Sequence, residues 1–449
     1  MERKQFLQLS TAFAVGSFLN PLEGCGPTPQ PPRTKNWAGN IEFSTDKIFK
    51  PNSVSDIQKT LKEVKHIKAQ GTTHCFNRIA DSKENLMAMK QMNQVVSLDK
   101  EKGTVTVQAG IKYGELAPYL QENGMALHNL ASLPHISVAG SVSTGTHGSG
   151  VNNGNLASVV EGIEFIDASG NVIQLSREKD SGIFPGIIVA LGALGIITKV
   201  TLKVQPSFEV KQFVYEKLPN EQLFQHFEEI MSAAYSVSLF TDWQNDSVNE
   251  VWVKARTDAS TAFPAPAEFF GAKAATKDLH PIAANSAENC TPQMGVAGPW
   301  HERLPHFKMG FTPSSGVELQ AEYFIPFENG VEAMKEIAAM GEEIGPHLFI
   351  SEIRAIAADD HWLSMAYNRK SIAIHFTWKQ ETEAVMALLP KIEKALERFT
   401  PRPHWGKLFT IPKETLASRY EKMNDFKSMA KKYDPDGKFI NDFLNTNIF

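Results

Sequence analysis

Between Gly140 and Gly150 the chain reads GSVSTGTHGSG, and nine of these eleven residues are glycine, serine or threonine. A run this small lets backbone N–H groups and short hydroxyls come close to a bound anion, because no side chain stands in the way. A pyrophosphate needs such a cradle. A flexible linker has a similar composition, but this run follows the apolar stretch LASLPHISVA and carries a histidine, His147. No Lys-Ser/Thr pair follows, so it is not a Walker A loop, and its glycines do not keep the GxGxxG spacing of a strand-to-helix dinucleotide turn. The pattern predicts a nucleotide-type ligand held by a fold that is not Rossmann.

The 449 residues suggest two or three domains. A hydrophobic share of 42% and a charged share of 21% belong to a chain with an ordinary large core. Net charge is −5 with the signs intermixed, and no basic stripe speaks for nucleic acid. No apolar run reaches the roughly 18 residues of a membrane span. Cys25, Cys75 and Cys290 are too few and too scattered for a disulfide framework, and no CxxC or HxxxH spacing predicts a metal. The N-terminus differs from the rest. Arg3-Lys4 precede a mildly apolar segment from Phe6 to Leu22, then LEGC, the arrangement of an export signal with a lipoprotein-like processing site at Cys25. This predicts an exported protein, periplasmic or membrane-anchored through Cys25, or a cytoplasmic one if the segment is only an extension. The stretch PTPQPP then reads as a stiff spacer.

Ser53 is placed to cap a helix with apolar positions at Val54, Ile57, Leu61 and Val64, and Asp56 completes a capping box. TVTVQ (104–108) reads as a strand and Tyr113 to Glu122 as a helix ended at Gly124. Ala168-Ser169-Gly170-Asn171 reads as a hairpin turn between strands at 163–166 and 172–175. From about residue 208 the helices lengthen, with helical periodicity at 221–231, 331–343 and 381–399. Residues 256–300, rich in Ala, Pro and Thr, predict a long surface excursion.

Three later segments alternate polar and apolar residues at period two, which puts i and i+2 on one strand face. VELQAEY carries Glu318, Gln320 and Glu322; SEIRAI carries Glu352 and Arg354; IAIHFTW carries His375 and Thr377. Such faces either meet water or roof a small-molecule site, and the pattern alone leaves both open.

GTTHCFN (71–77) sets a second histidine, His74, in a tight small-residue turn. Together with residues 131–150 it resembles the PCMH-type FAD-binding domain of the vanillyl-alcohol oxidase family, most of all its bacterial alditol (xylitol) oxidase branch. The likeness extends through NWAGN, AAYSVSLFTDW, GPWHERLPHF, FTPSSG, EIRAIAADD, HFTW and RPHWGK. It implies an α+β fold: signal and spacer at 1–35, a two-subdomain FAD-binding domain at 36–207, a substrate-binding cap with a large antiparallel sheet at 208–405, and a C-terminal segment at 406–449 returning to the FAD domain.

The resemblance also implies roles. His74 matches the histidine that binds the flavin covalently through a ring nitrogen. Ala69, Gln70, Gly71, Thr72, Thr73, Cys75, Ser132, Ser137, Gly140, Thr144, Gly145, Thr146, His147 and Ile196 match cofactor contacts. Gln320, Glu352, Arg354, His375, Thr377, Lys407 and Ser132 match substrate contacts. Arg354 would steady developing alkoxide charge, His375 would take the hydroxyl proton, Glu352 would orient Arg354 or hold a hydroxyl, and Lys407 would offset charge near the flavin N1. The implied reaction is FAD-dependent oxidation of a polyol's primary alcohol, with O2 or another acceptor. A sugar-1,4-lactone oxidase or dehydrogenase is the alternative within the family, and a non-catalytic exported sugar-binding protein the alternative outside it. Cys75 stands where the family usually has Ser. Thr73 stands where close relatives often have Gly, although Thr takes positive φ less readily.

Overall fold

The computed structural model describes residues 34–260, 262–310 and 317–449; the segment read as an export signal, with Cys25, lies outside them. Ser53 Oγ accepts from the Asp56 N–H at 3.1 Å, and Asp56 Oδ2 accepts from the Ser53 N–H at 3.0 Å. This reciprocal pair starts α1 (Val54–Glu63), whose Ile57 and Leu61 are buried. On either side of α1 run β1 (Ile48–Phe49) and β2 (Lys68–Gln70). With β3 (Leu86–Ala88) they make a small parallel sheet in the order β1-β3-β2. The end of β2 delivers the chain directly into the Gly71 turn.

A second sheet follows. β4 (Val95–Asp99), β5 (Thr104–Gln108), β6 (Val160–Ile166), β7 (Val172–Ser176) and β8 (Ile196–Lys203) lie antiparallel in the order β4-β5-β8-β6-β7. Ile166 faces Val172 across the expected hairpin. α2 spans Tyr113–Glu122 as the sequence predicts. The small-residue run is not wholly a loop: Val138–Thr144 forms a short helix, α3, closed by Gly145 at φ +67°. The left-handed cap is where glycine costs least.

The third sheet, of ten strands, is antiparallel along its long members. These are β9 (Glu209–Pro219), β10 (Ser236–Thr241), β11 (Ser247–Arg256), β12 (Glu318–Pro326), β13 (Leu348–Ile356) and β14 (Ser371–Lys379), ordered β9-β11-β10-β13-β14-β12. Its apolar face packs on α4 (Gly330–Ala338) and α5 (Thr382–Leu396); Tyr323 Oη reaches Glu393 of α5 at 2.8 Å. Two expected helices are broken. Residues 220–231 divide at His226, and 330–344 divide between Ala338 and Gly341.

The excursion at 256–300 is not merely surface. Trp300, Cys290, Thr291 and Gln293 are buried, and His280 to Ile282 line the central cavity. Lys254 of β11 explains part of this. Its buried ammonium donates to the carbonyls of Arg303, Leu304 and Pro305 at 2.8, 2.7 and 2.9 Å, so the end of the excursion is tied to the sheet.

A hydrogen-bonded seam joins the loop after α3 to the ten-stranded sheet. Gly150 N–H donates to Ala355 O at 2.8 Å, and Ala357 N–H to Asn153 O at 2.9 Å. Asn153 Nδ2 donates to Tyr235 O at 3.0 Å, and Ser149 Oγ to Val237 O. The small-residue loop is thereby fixed one residue from Arg354.

Candidate active site

One cavity of about 300 Å³ draws its walls from all three sheets. On the N-terminal side it is lined by Ala69 to Cys75, Ser132, Ser137, Gly140, Thr144, Thr146 and His147. On the other it is lined by Gln320, Glu352, Arg354, His375, Thr377 and Lys407. Of the expected site residues only Gly145 and Ile196 are not in its wall. Gly145 caps α3, and Ile196 is buried at the start of β8 between two lining neighbours, Gly195 and Ile197.

The N-terminal wall has the features of a cofactor cradle. A Cβ placed on Gly71 would sit 2.2 Å from Ser137 Oγ, and one on Gly140 2.8 Å from the same atom. Both positions exclude larger residues by contact. Thr73 adopts φ +58°, a conformation that costs a β-branched residue energy and is held here by its surroundings. Trp37 N–H donates to Thr73 O at 2.9 Å, and the Trp37 ring stacks on His74 with centroids 5.1 Å apart. His74 Nδ1 lies 3.0 Å from Thr72 Oγ1, which also accepts from the Ser137 N–H at 3.2 Å. Two buried polar atoms on this wall, His74 Nε2 and Ser137 Oγ, have no hydrogen-bond partner among the described residues. Burial pulls His74 down to about 4, so its imidazole is neutral. Cys75 is inert by the same physics, its thiol pushed up to about 12 by burial. Small residues, orphaned donors and a neutral imidazole fit a flavin nucleotide.

The opposite wall follows from strand register. Glu322 of β12 pairs with His375 of β14, and His375 pairs with Glu352 of β13. Paired residues share a face, so the three form a row across the sheet. Gln320 pairs with Thr377 on the same face, and Arg354 stands two residues beyond Glu352. These polar faces do not meet solvent: Glu322 is 0% and Arg354 6% exposed.

Arg354 Nη1 donates to Ser132 Oγ at 3.3 Å and Nη2 to Glu322 Oε1 at 3.2 Å, while Nε lies 3.5 Å from Glu352 and makes no hydrogen bond. Lys407 Nζ donates to His375 Nδ1 at 2.7 Å and to Glu322 Oε2 at 2.5 Å. His375 therefore carries its hydrogen on Nε2, which donates to Thr377 Oγ1 at 3.0 Å. Burial opposes charge on Glu352, but Arg354 and His306 outweigh it and hold the carboxyl far below its usual range. Burial and then Lys407 drive His375 well below its usual value, so it rests neutral.

Sequence reading missed three members of this wall. Glu322 was noted on its strand without a role. His306, in the GPWHERLPHF stretch, donates from Nε2 to Glu352 Oε1 at 2.7 Å, and its backbone N–H reaches Ser132 O at 3.2 Å. His404 lies beside His147, ring centroids 6.1 Å apart. Among the described residues His147, Glu322 and His404 have donor atoms within 4.8 Å of one another. Lys407 and Arg354 hold the same carboxylate, so a divalent cation there would face two fixed positive charges, and we assign no metal.

A cradle of small residues thus faces a buried, hydrogen-bonding wall, and comparison with known proteins gives the class, an FAD-dependent oxidoreductase. An FAD-binding domain model matches residues 45–176, and a D-arabinono-1,4-lactone oxidase model matches 314–447. The alditol oxidase of Streptomyces sp. (strain IKD472 / FERM P-14339) is 42% identical over 412 residues, covering 91% of this chain and 97% of that protein. The chain belongs to the alditol oxidase family of FAD-dependent oxidoreductases. More distant are the L-gulono-1,4-lactone dehydrogenase of Mycobacterium tuberculosis, 27% identical with 92% and 98% of the two chains covered, and the L-gulonolactone oxidase of Mus musculus, 26% identical with 91% and 97% covered. The crystal structure of cholesterol oxidase from B. sterolicum shares the fold, with a TM-score of 0.74 over 96% of this chain and 100% of that one, at 14% identity.

Proposed function

We propose that the protein oxidises the terminal hydroxyl of an open-chain alditol, such as xylitol or sorbitol, to the aldehyde of the aldose, with O2 as final acceptor and hydrogen peroxide as product. The observation that carries this is the shared cavity, where the cradle faces a row of hydroxyl-binding groups: Gln320, Glu352, Arg354, His375 and Thr377. A buried polar site of this kind discriminates by hydroxyl pattern more strongly than an apolar pocket does. The relationship to the Streptomyces alditol oxidase supports the same substrate class.

The carbinol loses two hydrogens, one as hydride from carbon and one as the hydroxyl proton. When bound, FAD supplies the acceptor for the hydride. Ala69 to Cys75 and the residues around α3 would hold it, with His74 attached covalently through a ring nitrogen. The protein's work is to bind the hydroxyls, hold the developing alkoxide charge and remove the proton. Arg354 meets the first charge as a rigid cation whose Nε–H is still unspent. Lys407 takes the hydroxyl proton while passing one of its own to the His375 Nδ1 lone pair it already contacts. Lys407 stays cationic, and the new imidazolium lies 3.9 Å from Glu322 and across the strand pair from Glu352. Lys407 would also offset negative charge that FAD gains on accepting the hydride.

The test is anaerobic mixing with xylitol, sorbitol and an aldonolactone, followed by admission of oxygen. Bleaching by the alditols and stoichiometric peroxide is the expected result. The match of the C-terminal third to a lactone oxidase model favours the second reading, oxidation of a sugar-1,4-lactone; faster bleaching by the lactone would establish it. Export with lipidation at Cys25 belongs to the same proposal, and labelled-lipid incorporation that survives Cys25→Ala would refute that part.

A further inference from the structure

The Glu322 side chain meets Lys407, Arg354 and His147 at once. Oε2 accepts from Lys407 at 2.5 Å. Oε1 lies 3.1 Å from His147 Nε2 and 3.2 Å from Arg354 Nη2. His375 Nδ1 is 3.9 Å from Oε2, and the His404 N–H donates to the Glu322 carbonyl at 3.0 Å. The partners come from the loop after α3, from β13 and β14, and from the C-terminal segment. Glu352, on the far side of Arg354, is the second carboxylate facing this group.

Glu322 meets these partners as a carboxylate. His147 Nδ1 is 2.8 Å from the Gly148 carbonyl and its Nε2 is 3.1 Å from Glu322 Oε1. Burial opposes charge on Glu322, but Lys407, His147 and Arg354 outweigh it and hold the carboxyl well below its usual range. One buried carboxylate thus stands between two cations, Lys407 and Arg354.

We propose that Glu322 is a positioning residue: bonded to both cations, its buried carboxylate fixes Lys407 against His375 and holds Arg354 toward the cavity. This rests on the alditol reading and adds to it the group that holds the proton relay in place. Glu322 need not touch substrate.

The experiment uses Glu322→Gln in the full-length, cofactor-loaded protein. Turnover and KM for xylitol are measured across pH in the parent and in a Lys407→Met background. The expected result is a fall in kcat of at least about 100-fold with KM changed less than about threefold. The alkaline limb of the kcat profile moves at least about one pH unit lower, because Lys407 loses the carboxylate that opposes its burial. In the Lys407→Met background the same change costs at least about tenfold less than in the parent, the remainder being the release of Arg354. Glu322→Asp restores part of the rate. Parallel pH profiles, or effects that multiply in the two backgrounds, overturn the proposal. If the Gln variant does not fold, the Glu322→Asp cycle decides: a smaller rate loss that shrinks in the Lys407→Met background supports the proposal, and one that multiplies overturns it. Sulfite, an anionic probe of the loaded cavity, supplies a readout without substrate. Its affinity should fall on the alkaline side at least about one pH unit earlier in Glu322→Gln, and an unmoved profile overturns the proposal even if alditols prove not to be substrates.

Discussion

Replacing Arg354 with lysine separates charge from geometry. The guanidinium serves three sides at once: Ser132 at 3.3 Å, Glu322 at 3.2 Å and, through Nε, the side facing Glu352 at 3.5 Å. A lysine ammonium keeps the charge but gathers its donors on one atom, so it serves one carboxylate and loses the forked reach. Losing one preorganised donor to an oxyanion costs about 3 kcal/mol, or just over a hundredfold in rate. Arg354→Lys should therefore bleach with xylitol about a hundred times more slowly than the parent in anaerobic rapid mixing. Arg354→Ala should be slower still, since the charge is gone too. It should also unfold at lower temperature: Glu322 keeps Lys407 and His147, but Glu352 keeps only His306, and breaking a buried ion pair costs about 3–5 kcal/mol. Cofactor content should match the parent in both, because no cradle residue has changed. A lysine variant that bleaches within threefold of the parent would refute the assignment of alkoxide stabilisation to Arg354.

His74→Ala should release its flavin into the supernatant on acid precipitation, while the parent pellet stays yellow; a colourless parent pellet rules out covalent attachment. His306→Phe keeps the ring between Phe240 and Trp252 but removes the donor to Glu352, a charged hydrogen bond worth about 1.5–3 kcal/mol, so turnover should drop about 10- to 100-fold. The same variant has a pH signature. Burial holds His306 down to about 4, whereas the unfolded chain takes up this proton near pH 6.5, so the parent loses stability as pH falls through that window and the variant should lose less, as melting temperature would show. Glu250 gives the opposite sign. Burial raises it to about 7, so its carboxylate is penalised in the folded state only above about pH 4.5. Glu250→Gln, which can still accept from Trp252 Nε1, should raise the melting temperature at pH 8 and leave it unchanged at pH 4.

Much of this was readable from local signals. The capping box at Ser53 and Asp56, helix 113–122 and the hairpin at 168–171 are each determined within a few residues, and each appeared where expected. The cavity walls were readable as two small-residue turns and three alternating strands. What escaped was set by contacts distant in sequence. Nothing near Glu322 distinguishes it from Glu318; its role comes from pairing with His375 and from two loops that bring His147 and Lys407 to it. His306 arrives at the end of an aperiodic excursion held by Lys254, whose own strand reads as ordinary. The short helix α3 was hidden because Gly, Ser and Thr are poor helix formers; tertiary packing of Val138 and Val142 overrides that preference.

The seam between the small-residue loop and the large sheet restricts how such a protein can be recombined. Gly150 with Ala355, Asn153 with Tyr235 and with Ala357, and Ser149 with Val237 join three stretches through main-chain acceptors. A chimaera that imports the sheet of a relative without the matching loop would lose these bonds and shift Arg354 against the cradle even if every cavity-lining side chain were retained. Residues 146–155, 235–237 and 353–357 thus form a single unit of inheritance, while His280 to Ile282 reach the same cavity from outside that unit and offer the stretch to exchange when a differently shaped cavity is wanted.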